Sequence, residues 1–557
     1  MKDLTVIEYF YHYEKEHPNK TFLRQPFGEN WEEYTWAEAG EMARKLANYF
    51  NSLGLKPKSH IGLISKNCRE WIISDLAIMM AGHISVPFFP TLTDTQISEV
   101  LEIGDVDVLI VGKIETWDGM KAGIPEEMPV IKFPHYKDNS KITRGKDWDE
   151  IMNEQSPIEK DHVPQMEDLW TIIFTSGTTG TPKGVMHTYK IINSLLNEAF
   201  AVKNPLAIDK NGNNKMFSFL PLNHIAERAI VELMCLRYSG SISFTESIDR
   251  FAANAQSVQP TLFFAVPRIY NKFRAAVLEK LPQKKLNTLL KIPIVKNIIK
   301  KKIATSLGLS QCRSITVGAA PMAQTAKDWF ASLGLGLTEG YGQTENCAAT
   351  TFLFSHEDKP GSVGLPHDGC TVKIAPDTNE ILVKSNYIMK GYYKDPEKTA
   401  ETINDGWLHT GDQGRMDSDG YVYITGRVKD TFKTEKGEFI IPAEIEDKFG
   451  ACSEIEQMCV VGLGLSQPML MVSLSEAAEK QDKGAVDKAL EDALVHANNN
   501  LSGYKKVSTV IVTEEPFSIE SNTLTPTMKV KRPQIHNRYK DRMKEWETSG
   551  NKVIRIK

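Results

Sequence analysis

Within Thr175-Ser176-Gly177-Thr178-Thr179-Gly180-Thr181-Pro182-Lys183-Gly184, hydroxyl side chains, glycines and one lysine crowd into a single loop behind the apolar run Thr171-Ile172-Ile173-Phe174. Each of these residue types suits a polyphosphate. Glycine lets backbone amides approach an anion closely, hydroxyls donate to phosphate oxygens, and Lys183 adds a point charge. The pattern predicts a strand, this loop, and then a helix with Ile191, Ile192, Leu195, Leu196, Ala199 and Phe200 on one face. Walker-type γ-phosphoryl transfer is disfavoured, because Pro182 rather than glycine precedes Lys183 and Gly184 rather than Ser or Thr follows it.

Further groups with chemical capacity stand in short segments downstream: Gly318-Ala319-Ala320-Pro321, Tyr341-Gly342-Gln343-Thr344-Glu345, Gly406-Trp407-Leu408-His409-Thr410-Gly411-Asp412, Gly426-Arg427 through Pro442, and Thr525-Pro526-Thr527-Met528-Lys529-Val530-Lys531-Arg532. Together with Tyr34-Thr35-Trp36 and Gly82-His83-Ile84-Ser85-Val86-Pro87, their order along nearly the whole chain resembles the adenylate-forming superfamily of acyl-CoA synthetases, luciferases and peptide-synthetase adenylation domains. Leu220-Pro221-Leu222-Asn223-His224-Ile225-Ala226-Glu227-Arg228 and Pro260-Thr261-Leu262-Phe263-Phe264-Ala265-Val266-Pro267-Arg268 resemble its long-chain fatty acyl-CoA synthetase branch. Met528 departs from the pattern, since many members carry glycine there.

The resemblance implies roles residue by residue. Thr175 to Gly180 and Lys183 would hold phosphates, while Gly318, Ala319, Ala320, Pro321, Tyr341 and Gly342 would flank adenine, small residues on one side and an aromatic ring on the other. Asp412 would accept from both ribose hydroxyls, with Arg427 beside the ribose and phosphate. Thr344 and Glu345 would meet the α-phosphate and Mg²⁺, Glu345 being the metal-holding carboxylate. An anionic carboxylate attacking the α-phosphate gathers negative charge that cations must offset, and Lys529 would supply one of them. Lys429 falls at the hinge position. A rotation there would carry Lys436-Gly437-Glu438-Phe439 inward, with Gly437 and Glu438 against the pantetheine arm of CoA. Acyl binding would fall to His224, Ile225, Phe263, Phe264 and Gly340. ATP, Mg²⁺ and CoA are thus the expected cofactor and co-substrates.

Those residues need a scaffold that alternates helices and strands. A helical pattern through Leu46, Ala47, Phe50 and Leu53 leads to the strand-like Ile61-Gly62-Leu63-Ile64-Ser65, a second apolar stretch from Trp71 to Met80, and Val106-Asp107-Val108-Leu109-Ile110-Val111-Gly112. Such alternation predicts an α/β body with parallel strands. The turn and strand Asp419-Gly420-Tyr421-Val422-Tyr423-Ile424-Thr425-Gly426 run into charged residues, where a hinge is expected. The predicted organisation is a large multilobed nucleotide- and acyl-binding domain over residues 1–428 and a small mobile α+β domain over 429–557.

Lys plus Arg total 66 against 71 for Asp plus Glu, and the net charge of −5 gives no global attraction to nucleic acid or an anionic membrane. Seven scattered cysteines without a CxxC pair read as reduced thiols. The first residues lack the apolar core of a signal peptide, and no stretch is apolar for long enough to span a bilayer, so a cytoplasmic location is expected. One local exception is the basic run from Gln283 to Lys302, interrupted at Pro293. A solvated helical face is its ordinary reading and weak peripheral membrane contact the other; the sequence assigns neither.

The expected reaction joins a medium- or long-chain fatty acid to CoA, with AMP and pyrophosphate released. An acyl-AMP ligase serving a carrier protein, or a CoA ligase for a short, aryl or sulfur-containing acid, are the alternatives. Amino-acid-activating relatives carry an Asp in a Phe-Asp pair where this chain has Phe217-Ser218, and a buried ammonium without a counter-ion is costly. A catalytically silent nucleotide- or lipid-binding protein is disfavoured by the presence of Lys183, Glu345, Asp412 and Lys529 together.

Overall fold

The computed structural model describes residues 4–175, 181–525 and 529–556. The central sheet has eight strands. His60–Ile64, Ile84–Phe88, Val106–Val111, Val130–Lys132 and Lys146–Asp147 run parallel, and Leu169–Thr175 joins parallel to Ile84–Phe88. The first two of these strands are buried along their whole length. Their near-continuous apolar sequences follow from helices covering both faces. Helix Trp36–Ser52 starts at Thr35, whose hydroxyl accepts from the Glu38 amide at 3.2 Å while the Glu38 carboxylate accepts from the Thr35 amide at 2.8 Å. Tyr34-Thr35-Trp36 is therefore a capping box.

Beyond the phosphate loop the chain first forms an unexpected strand, Lys183–Thr188, ahead of the expected helix. It pairs antiparallel with Leu169–Thr175, with Thr175 opposite Lys183, and the helix begins only at Tyr189. Lys183 is consequently presented from a strand start. Gly184 is suited to that pairing because a Cβ there would lie 2.8 Å from Ile172 across the ladder. The short edge strand Gly391–Tyr392 pairs with Met186 and Val185 on the other side.

A second, five-stranded sheet runs Leu262–Ala265, Ser314–Gly318, Thr338–Tyr341, Thr351–Leu353, Leu365–Pro366. A third contains Trp407–Met416 paired antiparallel with Val422–Arg427, with Asp412 opposite Arg427. Arg228 ties the layers together. Its guanidinium is fully buried, bonds Asp75, Glu232 and the Thr171 hydroxyl, and lies 3.8 Å from the Trp170 ring centre. The single-turn π segment Arg228–Leu233 is thereby fixed to the strand that ends at the phosphate loop.

The C-terminal portion builds another sheet, in the order Ile455–Val461, Met469–Leu474, Val510–Val512, Val553–Arg555, with helices Lys483–Asn499 and Arg532–Thr548 against it. Its two apolar clusters contain only residues from Phe432 onward. Among the described residues no helix is long and apolar enough to cross a membrane.

Candidate active site

Strand ends from the two body sheets, the Val422–Arg427 strand and the C-terminal portion converge on one open cavity of about 2580 Å³. Thr175, Lys183, Gly318, Ala319, Ala320, Pro321, Gly340, Tyr341, Gly342, Thr344, Glu345, Asp412, Arg427, Lys429 and Lys529 all line it. Residues separated by more than 350 positions in sequence thus share one chamber. Ser176, Gly177, Thr178, Thr179 and Gly180 lie outside the described residues.

Ala319 holds φ +65° as the chain leaves the Ser314–Gly318 strand, turning backbone toward the chamber. Gly342 has no alternative, because a Cβ there would sit 2.2 Å from the Ala348 backbone. Opposite them, Asp412 is held on three sides. The Tyr341 hydroxyl donates to its Oδ2 at 2.8 Å, the Gln343 amide to the same oxygen at 2.7 Å, and Arg427 Nε approaches Oδ1 at 3.0 Å. A carboxylate offers about four lone-pair sites. Direct acceptance from two further hydroxyls therefore requires one of the present partners to yield. Gln343, which also bonds the Thr410 carbonyl at 2.8 Å, is a site residue that motif reading passed over.

Glu345 Oε1 accepts from the Tyr392 hydroxyl at 2.8 Å. Burial first, and then the Glu345 charge, push the Tyr392 phenol far above its ordinary value, so it remains a donor. The Lys183 ammonium lies 5.5 Å from the centre of the same ring. Tyr392 was also missed, and only the pairing of its edge strand with Met186 and Val185 brings it here. A hard cation between phosphate oxygens needs just one or two protein oxygens, and Glu345 with Thr344 meets that requirement for Mg²⁺. Among the described residues no group of three or more His, Cys, Asp or Glu could hold a metal by itself. The donor set fits an ion shared with a substrate.

Lys529 is exposed and opens onto the cavity, in the charge field of Arg427, Asp412 and Glu345. Desolvation pushes its ammonium below the ordinary lysine value; Arg427 adds to this and Asp412 and Glu345 oppose it. Lys183 is pushed down as well, by burial first and then by Lys398 and Lys429. Lys183, Lys398, Lys429, Arg427 and Lys529 thus share this part of the chamber with the carboxylates Glu345, Asp412, Asp395 and Glu401.

The apolar end of the chamber is lined by Phe200, Leu206, Leu220, Ala226, Ala229, Ile230, Phe264 and Phe352. His224 stands where this end meets Lys529. Its Nδ1 accepts from the Ala226 amide at 3.2 Å, and burial followed by the Lys529 charge pushes it down to about 4, so the ring is neutral at pH 7. Burial pushes the Glu227 carboxyl up to about 8, and its Oε1 accepts from the Ser218 hydroxyl at 2.8 Å and the Phe219 amide at 3.1 Å. Two residues expected at the acyl site point elsewhere. Phe263 packs against Phe219 and Phe273 in one core cluster, and Ile225 is wholly buried in another.

Gly437 and Glu438 sit in the turn between Phe432–Lys433 and Phe439–Ile440, and neither lines the chamber. Gly437 holds φ +79° and donates to the Thr434 carbonyl at 2.9 Å. Across the gap between the two portions, Arg268 meets Glu456 at 3.0 Å. Both ends of that pair are more than a third exposed, which limits it to about 1 kcal/mol. Glu456→Ala is expected to lower the adenylation rate by about fivefold at most. The loss should vanish in concentrated salt, as stopped-flow pyrophosphate release at two ionic strengths will show.

A profile of AMP-binding enzymes matches residues 10–393, and a profile of the AMP-binding enzyme C-terminal domain matches 429–548. The chain belongs to the AMP-binding enzyme family. Among curated proteins, long-chain-fatty-acid--CoA ligase 5 of Rattus norvegicus is 31% identical over 92% of this chain and 84% of its own length. Long-chain-fatty-acid--CoA ligase 1 of Homo sapiens is 29% identical over 92% and 82%. Among solved structures, the anthranilate CoA ligase AuaEII in complex with anthranoyl-AMP superposes with TM-score 0.79 at 20% identity, covering 97% of this chain and 98% of that one. The A domain of a carboxylic acid reductase from Segniliparus rugosus, in complex with AMP and a co-purified carboxylic acid, gives 0.79 at 20% identity over 98% and 94%. The fold of the AMP-binding enzymes, a large N-terminal and a smaller C-terminal domain of mixed α/β structure, is the fold of this chain.

Proposed function

We propose that this AMP-binding enzyme is an AMP-forming acyl-CoA synthetase that adenylates a medium- or long-chain fatty acid and passes the acyl group to CoA. The observation that carries the reading is Lys529, brought from the C-terminal portion into the charge field of Arg427, Asp412 and Glu345. Adenylation needs cations on the innermost phosphorus while a carboxylate attacks it. Lys183 and Lys529 supply them from opposite walls, Glu345 and Thr344 hold Mg²⁺, which neutralises phosphate charge when bound, and Asp412 orients the ribose. His224, neutral and at the junction, contributes no charge against the incoming carboxylate's tail.

The acid is read from the chamber's far end. Its walls are Phe, Leu, Ile and Ala side chains, and Glu227, beside the Phe217-Ser218 pair, is engaged by the Ser218 hydroxyl and the Phe219 amide. An alkyl chain laid along these walls gains about 0.8 kcal/mol per buried methylene. The fatty-acid-activating relatives lend the same direction. We place the hinge at Lys429 and assign 1–428 and 429–557 as its two moving bodies, so that Gly437 and Glu438 reach the chamber only after adenylation.

The test is incubation of purified protein with ATP, Mg²⁺, CoA and carboxylates graded from acetate to palmitate, with aryl and sulfur-containing acids included, products being identified by mass. Acyl-CoA, AMP and pyrophosphate are expected, with kcat/KM rising with chain length over the medium range. Release of ADP and inorganic phosphate alone would reject adenylation. Turnover of short polar acids only would reject the fatty-acid assignment, and acyl-AMP that accumulates despite CoA would move the acceptor to a carrier protein.

A further inference from the structure

Lys284, Lys285, Lys296, Lys300, Lys301 and Lys302 fall on two consecutive helices, Gln283–Leu289 and Pro293–Ser306, and Lys291 lies in the turn between them. No carboxylate occurs in the sequence between Glu279 and Asp328. Among the described residues none of these seven lysines forms an ion pair, although the chain as a whole carries a net charge of −5. The patch is a concentrated, uncompensated positive field on an acidic body. A solvated face accounts for the lysines but not for their neighbours. Ile294 is 77% exposed and Ile298 60%, one helical turn apart, and Ile292 is exposed just ahead of the second helix. At 100° per residue, Lys301 and Lys302 share the outward face with Ile294 and Ile298, while Ile303 and Ala304 turn inward and are buried.

The inner side is firmly seated. Leu286 and Ile303 join the cluster that contains Trp329 and Phe330, and the Trp329 indole donates to Gln283 at 3.0 Å. The pair is therefore a rigid platform whose outward chemistry is fixed. It also adjoins the site, because the preceding helix Pro267–Lys280 lines the chamber with Arg268, Asn271, Arg274 and Leu278.

We infer that this helix pair is a docking surface for the headgroup region of an anionic lipid bilayer. Phosphate groups alone, on a nucleic acid or a free nucleotide, would engage the lysines and leave the isoleucines in water. A bilayer interface takes both, with the isoleucines entering at the headgroup–acyl boundary and the lysines meeting anionic headgroups. The charge asymmetry of the chain turns this face, rather than any other, toward a negative surface. Contact here would open the chamber's rim beside the lipid surface.

Full-length protein is sedimented with vesicles of phosphatidylcholine alone and of phosphatidylcholine with phosphatidylglycerol, at low and high salt. Binding to the anionic vesicles only, weakened by salt, is expected. Replacing Lys284, Lys291, Lys301 and Lys302 together by Gln should lower partition by about a thousandfold at low salt. The double change Ile294→Ser with Ile298→Ser should lower it severalfold, while acyl-CoA formation from substrate supplied in detergent is unchanged in both variants. No binding by the parent protein overturns the inference. So does binding that the lysine variant loses and the isoleucine variant keeps in full, an outcome that marks a site for soluble polyanions.

Discussion

Lys529→Ala lowers the first half-reaction by about 10²–10³-fold, the cost of removing one positioned electrostatic group from a transition state. The measurement is carboxylate-dependent exchange of pyrophosphate into ATP. The same variant, given preformed acyl-adenylate and CoA, retains thioester formation close to the parent rate, because the missing charge serves only the attack on phosphorus. Equal loss in both half-reactions would show that the residue supports the fold and not the step. The pH profile carries an independent signature. Desolvation pushes the Lys529 ammonium below its ordinary value of 10.5, with Arg427 adding to the shift. The group must be charged to act, so kcat/KM for adenylation is held at lower pH and lost as pH rises through that lowered value. Lys529→Arg, whose guanidinium keeps its proton, moves this alkaline limb to higher pH.

Asp412→Asn raises the KM for ATP by about tenfold to a hundredfold, in line with weakening the hydrogen bonds of one buried carboxylate. The amide keeps the shape and loses one acceptor. Tyr341 and Gln343 both donate to Oδ2 and Arg427 approaches Oδ1, so the new NH₂ group confronts a donor on whichever side it turns. Fluorescent nucleotide titration separates this loss of affinity from a change in kcat. Thermal unfolding checks the fold, the transition staying cooperative. An unchanged KM would remove Asp412 from nucleotide binding.

Much of this arrangement could be read from the chain alone, for identifiable reasons. Val106–Val111 and Met469–Leu474 are short apolar runs bounded by polar turns, and burial on both faces leaves them no other reading. Glu345, Asp412 and Lys529 were singled out through the family resemblance of the motifs around them, and all three line the one chamber. The hairpin after the phosphate loop was not. Lys183-Gly184-Val185-Met186-His187-Thr188 has no clean alternation, and its glycine makes sense only when Phe174 is known to pair with it and the Ile172 side chain to reach it diagonally. The acyl wall was half legible. Phe263 and Phe264 are neighbours on one strand and therefore face opposite sides, and the sequence does not say which side is the chamber. Tyr392 and the Arg268–Glu456 pair depend on contacts between distant segments and carry no local mark.

The antiparallel register that sets Asp412 against Arg427 divides two duties between the lobes. Both residues belong to strands of the body, and Arg427 is the last residue of its strand, two positions before the proposed pivot. In the proposed rotation Lys529 belongs to the part that turns. The group that drives the attack would then depart with it, and the groups that grip the nucleoside would stay behind. One lobe would retain the reactive mixed anhydride while the other exchanged a spent ammonium for a thiol path.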